Sequence, residues 1–369
     1  MKIVEIDRSK TLQQQPNTGH NRWHPDIPPL VEADPGEEVV LQTRDAVDGQ
    51  VRKGMAAADL ANLNPGPIHP LTGPVYVKGA KPGDLLEIEF VEIRPEPYAF
   101  TMILPGLGFL RDLYTSPFLV HWKIENNVAT SDQIPGVRIP GGSFMGVSGL
   151  APSHEKLREW TKRENDSMAH GGLVFPPDAG GSVPPSGPAA KDGLRTIPPR
   201  ECGGNFDVKQ LTAGSKLYLP VYCDGGLFST GDGHFAQGDG EVCVTAVEMA
   251  ATAVMRFQIQ KGEAERKNIR APRFSHSGYF ADPTLAAPKN FVATMGMPIR
   301  DDGTNESENL TLACRNALLH MIDLLQERGF SKEQAYCICS VAVDLRVSNV
   351  VDVPNFVVSA LLPESIFVK

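Results

Sequence analysis

Long apolar runs and blocks of basic residues are both missing from this chain of 369 residues. Without the first, no stretch is long and greasy enough to span a bilayer. The charged opening MKIVEIDRSKTLQQQPN also lacks the apolar core of a secretory leader. A cytoplasmic location with no membrane partner is expected. The lack of basic blocks, with a net charge of −9, argues against nucleic acid and favours a neutral or cationic small substrate. Cysteine is sparse as well. Cys202, Cys223, Cys243, Cys314, Cys337 and Cys339 lie in apolar settings without paired metal spacing, and Cys337-x-Cys339 is tighter than a zinc-ribbon pair. Buried free thiols are the expectation.

Punctuation is plentiful instead. With 35 Gly and 31 Pro, long helices should be scarce and short strands with turns should prevail. Hydrophobic residues at 41% and charged ones at 21% fit a soluble globular protein large enough for an extensive core. Strand patterns fall at 39–42, 75–77, 84–93 (alternating LLEIEFVEI after a Lys81–Asp84 turn), 216–221 and 242–248. One persuasive helix lies near the end. Asn305 with Glu308 has the form of a capping box, Leu310, Ala313, Ala317, Met321 and Leu324 recur at helical spacing, and Arg328-Gly329 supplies a stop. Ser331 with Gln334 starts a second helix. Apolar runs at 341–347 and 350–362 follow, the latter broken by Pro354 as in an edge strand. The chain reads as a mainly β body over 1–300 and a smaller α/β unit over 301–369. In that unit Asp344, Arg346, Asn349 and Asp352 are expected to pair structurally.

Chemistry concentrates in residues 231–248, GDGHFAQGDGEVCVTAVE. Asp232, His234, Asp239, Glu241 and Glu248 are spaced there by glycines, giving the oxygen and nitrogen donors that a divalent cation requires. In extended backbone, Asp232-x-His234 and Asp239-x-Glu241 would each point to one side. The run Val242, Val244, Ala246 and Val247 places them at a strand entrance. Three other segments compete. His20, Trp23, His24 and Asp26 form a polar, aromatic cluster that adds ligands, lines a pocket, or simply caps the body. Asn205 and Asp207 follow paired glycines that let backbone approach a ligand. Residues 274–279, with His276 and Tyr279, read as a pocket wall or as plain surface. Residues 175–200 are rich in proline and poor in large apolar groups, which reads as a stiff loop bordering a site or as a disordered linker. Cys202 beside Glu201 has no neighbouring Lys or His to make it a thiolate.

The stretches 20–28 (HNRWHPDIP), 72–84 (TGPVYVKGAKPGD), 198–207 (PPRECGGNFD), 228–248 and 336–362 together resemble the acetamidase/formamidase family. HNRWHPD and PPRE fit its longer, formamidase-like branch, which also includes γ-lactamase-type enzymes. The resemblance implies zinc-type hydrolysis of short aliphatic amides to carboxylate and ammonia. It also implies two β lobes (sandwich- or barrel-like) with a small α/β portion, assembled as a homo-oligomer. Cys202 departs from the family's pattern, where a less reactive residue type is usual.

Spacing and resemblance together lead to an assignment. Asp207, Asp232 and His234 are expected to hold Zn²⁺ or another divalent ion, which would polarise the amide carbonyl and acidify a water. Asp239 is expected to fix the second ring nitrogen of His234. Glu241, then Glu248, is the candidate for proton transfer, and Asn205 for hydrogen bonding to the developing oxyanion. His20, Trp23 and His24 are expected around these residues or along the substrate pocket. Three alternatives stay open: opening of a small cyclic amide, a metal-free amidase with Cys202 or Cys223 as nucleophile, and a non-catalytic β-sandwich module holding a structural calcium. Calcium's preference for about six to eight oxygens counts against the last, given His234.

Overall fold

A computed structural model of the protein describes residues 1–175, 180–278 and 288–368. Strand residues outnumber helical ones, 34% to 19%, and a large sheet, fourteen-stranded among the described residues, forms the body. Seven strands matter most here: β1 (Glu38–Gln42), β2 (Leu71–Val77), β3 (Leu85–Ile103), β4 (Phe144–Gly149), β5 (Gly203–Asn205), β6 (Phe228–His234) and β7 (Glu248–Gln260). The long β3–β7 pair is antiparallel and forms the spine. Its sequence alternation explains it: Leu86, Ile88 and Phe90 are buried, while Glu87 and Glu89 point outward to Lys216 and Arg256.

Near the site β6 is central. It pairs antiparallel with β4, β7 and β2. Its residues Phe228–His234 are buried throughout, which explains a composition of small residues between two walls. The apolar run at 242–247 is not a strand. Those residues form turns, and β7 begins only at Glu248. Burial rather than pleating explains their apolar character, since Val242, Cys243, Ala246 and Val247 all enter the core.

The C-terminal portion packs helices on a small sheet. Strand β8 (Phe291–Gly296), helices α2 (Leu310–Glu327) and α3 (Lys332–Ala342), and strands β9 (Asp344–Asn349) and β10 (Val357–Pro363) make it up, with β10 between β8 and β9. The sheet therefore begins before residue 301. Pro354 lies in the link between β9 and β10, and the 350–362 run becomes strand only from Val357. Asn309, not Asn305, caps α2, its side chain accepting from Leu312 N–H at 2.9 Å. Asn305 instead bonds to Asn355. Ser331 and Gln334 do form the capping box of α3.

One long helix escaped the sequence reading: α1, His154–Ala169, capped by Ser153. Only Leu157 and Trp160 are buried on it, so its apolar stripe is too thin to recognise. Residues 180–200 are ordered into a short helix, Pro188–Asp192, and a strand, Leu194–Arg195, that pairs with Arg22–Trp23. Residues 273–276 pair with Ser215–Pro220 and take no part in the cavity described below, while Tyr279 lies outside the described residues.

Candidate active site

Strand register builds the cluster. Across the β6–β7 pair His234 sits opposite Glu248, and across the β4–β6 pair Phe144 opposes His234 and Met145 opposes Gly233. The next β4 residue, Gly146, consequently faces Asp232. A Cβ on Gly146 would stand 2.6 Å from Asp207 Oδ1, 2.9 Å from Asp232 Oδ2 and 3.0 Å from His234 Cε1. The missing side chain is what lets these three groups converge. β5 pairs with β4 on the other side, and the Gly146 carbonyl accepts the Phe206 N–H at 2.9 Å, which brings Asn205 and Asp207 alongside.

Glu241 arrives by a different route. Its loop is tied to the C-terminal portion, with Gly238 N–H donating to Ser340 O at 2.9 Å and Leu345 N–H to Asp239 O at 3.0 Å. Asp239 and Glu241 therefore diverge instead of sharing a side. Asp239 faces Lys209, 3.6 Å away, and its N–H donates to Asp344; Glu241 Oε1 lies 3.9 Å from His234 Nε2. Asp344 also pairs with Arg346 at 3.0 Å and with Lys209, so this network ties the loop down.

Distances then rank the donors. His234 Nε2 is 3.1 Å from Glu248 Oε2 and 3.3 Å from Asp232 Oδ1. Asp207 Oδ1 is 4.0 Å from the other ring nitrogen, Nδ1. Glu248 thus stands nearer to His234 than Asp207 does. The partner of Nδ1 is Gln237 and not Asp239: Nδ1–H donates to Gln237 Oε1 at 2.9 Å, and Gln237 Nε2 donates to the Asp207 carbonyl at 2.7 Å. Gln237 sits three residues after His234 in the same motif; its amide drew no notice among so many charged neighbours. His69 is a second addition, with Nε2 3.9 Å from Asp232 Oδ2. It lies just before the 72–84 stretch, where nothing local marks it.

Electrostatics follow from burial. Asp232, His234 and Glu248 are only 2%, 1% and 2% exposed. Burial, added to the nearby Asp232 charge, pushes Glu248 up to about 8 and Asp207 up to about 7, with His234 opposing both. Burial and Asp207 hold Glu241 well above the carboxylate range. Asp232 goes the other way, because His69 and His234 outweigh its burial. His234 is raised although burial acts against it, since Glu248 and Asp232 favour the imidazolium. Asp207, Asp232 and Glu241 also hold positive φ of 49°, 57° and 43°. Non-glycine residues there cost of order 1–3 kcal/mol each and gather at functional sites.

The donor set fits a divalent cation. Asp207 Oδ1, Asp232 Oδ1, His234 Nε2 and Glu248 Oε2 are all buried without a hydrogen-bond partner. Tetrahedral bonds of about 2.0–2.1 Å place ligand atoms roughly 3.3 Å apart, the spacing found around Nε2. The cluster floors a cavity of about 840 Å³, whose lining includes His69, Asn205, Asp207, Asp232, Glu241 and Glu248. Phe175 and Ile197 place parts of the 175–200 segment on its wall.

His20, Trp23 and His24 do not line this cavity. His20 is buried behind β6, with Nδ1 donating to Arg22 O and Nε2 accepting from Ser229 Oγ, both at 2.7 Å. Trp23 packs edge-on to it. His24 joins Asp192, Asp26 and His154 in a separate surface cluster. The cysteines are free thiols. Cys202 and Cys223 are absent from the cavity lining, and burial pushes each up to about 12, so neither of these two is a thiolate nucleophile.

Comparison with known proteins places the chain among relatives. The chain is 34% identical to an acetamidase of Mycolicibacterium smegmatis, covering 91% of this chain and 88% of that one. It is also 34% identical to a formamidase of Methylophilus methylotrophus, covering 99% and 93%. A γ-lactamase from Delftia acidovorans superimposes with a TM-score of 0.94 at 34% identity, covering 100% and 94%. The model of the acetamidase/formamidase family matches residues 5–369, and the chain belongs to that family.

Proposed function

We propose that the chain is a metal-dependent amidohydrolase that cleaves small linear amides to a carboxylate and ammonia. The observation behind this reading is the convergence of buried, unpartnered donor atoms on His234 Nε2 at the floor of an open cavity. His234, Asp232 and Glu248 would hold the ion, with Asp207 next to them. We take the ion to be zinc, since an imidazole and carboxylates at this spacing suit it. When bound, such an ion supplies Lewis acidity and lowers the pKa of water to about 7.

The remaining work falls to the chain. Gln237 keeps the His234 ring in one tautomer by accepting from Nδ1–H. Glu241 lines the cavity, and its carboxylate lies within 4.8 Å of the Asp207 carboxylate and the His234 ring. Two carboxyl groups this close retain a proton between them. That proton sits where a departing amine needs it, so Glu241 serves as the acid and base. Asn205 reaches the same floor and orients the amide oxygen.

A second reading is opening of a small cyclic amide, favoured by the close superposition on a γ-lactamase. It uses the same residues, and ring opening releases no ammonia. A non-catalytic module with a structural ion has no support within a family of amide hydrolases. Homo-oligomeric assembly and a cytoplasmic location belong to the same proposal; among the described residues no helix is long and apolar enough to cross a membrane.

The test combines metal analysis with product release. Purified protein should carry about one equivalent of a divalent ion and release ammonia from formamide or acetamide, or open a lactam. His234→Ala and Asp232→Ala should lose both ion and activity. Full activity in these variants, or no product from any amide, would sink the proposal.

A further inference from the structure

We infer that the site takes uncharged amides carrying a bulky apolar substituent, larger than formamide or acetamide. This rests on the amidohydrolase reading above and deepens it.

Volume is the first observation. Formamide and acetamide have only a few heavy atoms, whereas 840 Å³ lies high in the range of roughly 300–1,000 Å³ that houses drug-sized ligands. The second is the character of the wall. Away from the polar floor the lining is apolar, with Leu60, Leu63, Met102, Leu104, Phe109 and Ile197 among its members. The third is that this wall is built and backed. Val47, Leu60 and Met102 belong to a separate apolar cluster with Phe100 and Leu119, and Leu63 and Leu104 pack against it. A surface dent would have no such support.

Polarity is graded with depth. Asp232 and Glu248 are almost fully buried, while Leu173 and Val244 at the mouth are 64% and 37% exposed. An amide group reaching the floor therefore leaves its substituent against apolar walls. No Lys or Arg lines the cavity among the described residues, so an anionic substituent lying along the apolar walls, away from the floor, would find no counter-charge. Acetamide would offer these walls only its methyl, and each further methylene buried there gains a factor of roughly four.

Two amide series test this. One lengthens the acyl side, from formamide and acetamide through butanamide to hexanamide and phenylacetamide. The other lengthens the nitrogen side, from N-methylformamide to N-hexylformamide. The expected result is a rise in kcat/KM of roughly fourfold per methylene in one series, which also tells which side of the amide faces the wall. Leu104→Trp should then shrink the hexanamide-to-acetamide ratio, or its N-side equivalent, by at least about tenfold. Hydrolysis of formamide and acetamide with no gain along either series would overturn the inference and leave the amidohydrolase reading standing. No hydrolysis of any amide would overturn both.

Discussion

His234 Nε2 lies 3.1 Å from Glu248 Oε2 although the same ring donates its Nδ1–H to Gln237. In the neutral ring with its proton on Nδ1, Nε2 presents a lone pair to Glu248 and Asp232, so either a proton, as in the imidazolium these carboxylates favour, or a metal cation belongs between them. Gln237 enforces this tautomer, because its own amide nitrogen is committed to the Asp207 carbonyl at 2.7 Å. Removing an orienting partner of this kind typically costs about 10–100-fold in metal affinity. Gln237→Leu should therefore bind Zn²⁺ about 10–100-fold more weakly in a competition titration with a chelating dye. Unchanged affinity would show that Gln237 does not orient the ligand.

Gly146 carries no functional group, yet Gly146→Ala should nearly abolish activity. Its added methyl would meet Asp207 Oδ1 at 2.6 Å and Asp232 Oδ2 at 2.9 Å, and buried carboxylates packed this tightly have little room to yield. Displacements near 1 Å can cost about 10² in rate. The expected result is a fall in kcat/KM of at least about 100-fold with an unchanged far-ultraviolet circular dichroism spectrum. A variant with wild-type turnover would mean that the cluster relaxes freely.

Thiol reagents should leave activity intact. Cys202 and Cys223 are both pushed up to about 12 by burial, and a thiol so far above neutrality reacts slowly even when reached. Cys243, where burial is outweighed by hydrogen bonds that bring the thiol down to about 7, is fully enclosed and out of a reagent's reach. Iodoacetamide at neutral pH should not inactivate the native protein, whereas a strong chelator should. The opposite pattern would revive a cysteine nucleophile.

What could be read in advance, and what could not, follows from range. Asp232, His234 and Glu248 are close in sequence, so their glycine-spaced pattern betrayed them, as did the Ser331–Gln334 cap and the alternation of β3. Gly146, His69 and the Asp207–Glu241 proximity depend on strand register and on a loop tied to α3 and β9, which no local pattern encodes. Asp239 misled because spacing of two implies one side only in extended backbone, and Glu241 at φ 43° is not extended. Helix α1 failed for the opposite reason: only Leu157 and Trp160 enter the core from it, too thin a stripe to recognise, and a long-range ion pair helps to dock it.

That ion pair is itself testable. Arg200 bonds Glu164 on α1 through Nε at 2.7 Å and Nη2 at 2.9 Å, with the Arg200 side chain buried. Breaking a buried pair from one side leaves an uncompensated charge and costs about 3–5 kcal/mol. The neighbouring Arg163–Glu201 pair is far more exposed and should contribute about 0–1 kcal/mol. Denaturant unfolding should show Glu164→Ala strongly destabilised and Glu201→Ala close to wild type. Equal losses would mean that exposure does not set the ranking.

Stability should also carry a signature of His20. Burial lowers this imidazole from its ordinary value of 6.5 to about 4, against a small opposing effect of the Arg22 carbonyl. Its surroundings suit the neutral ring, with Nδ1–H donating to Arg22 O and Nε2 accepting from Ser229. Because the folded value is depressed, the unfolded chain binds the extra proton between pH 6.5 and 4. Stability from this group is complete above about 6.5 and lost as pH falls toward 4, by about 3 kcal/mol in all. Asparagine retains a donor for the Arg22 carbonyl but cannot titrate. His20→Asn should be less stable than wild type at pH 7, with the gap narrowing by up to about 3 kcal/mol by pH 4.5 in denaturant titrations. A gap that stays constant over that range would show that His20 is not held neutral by the fold.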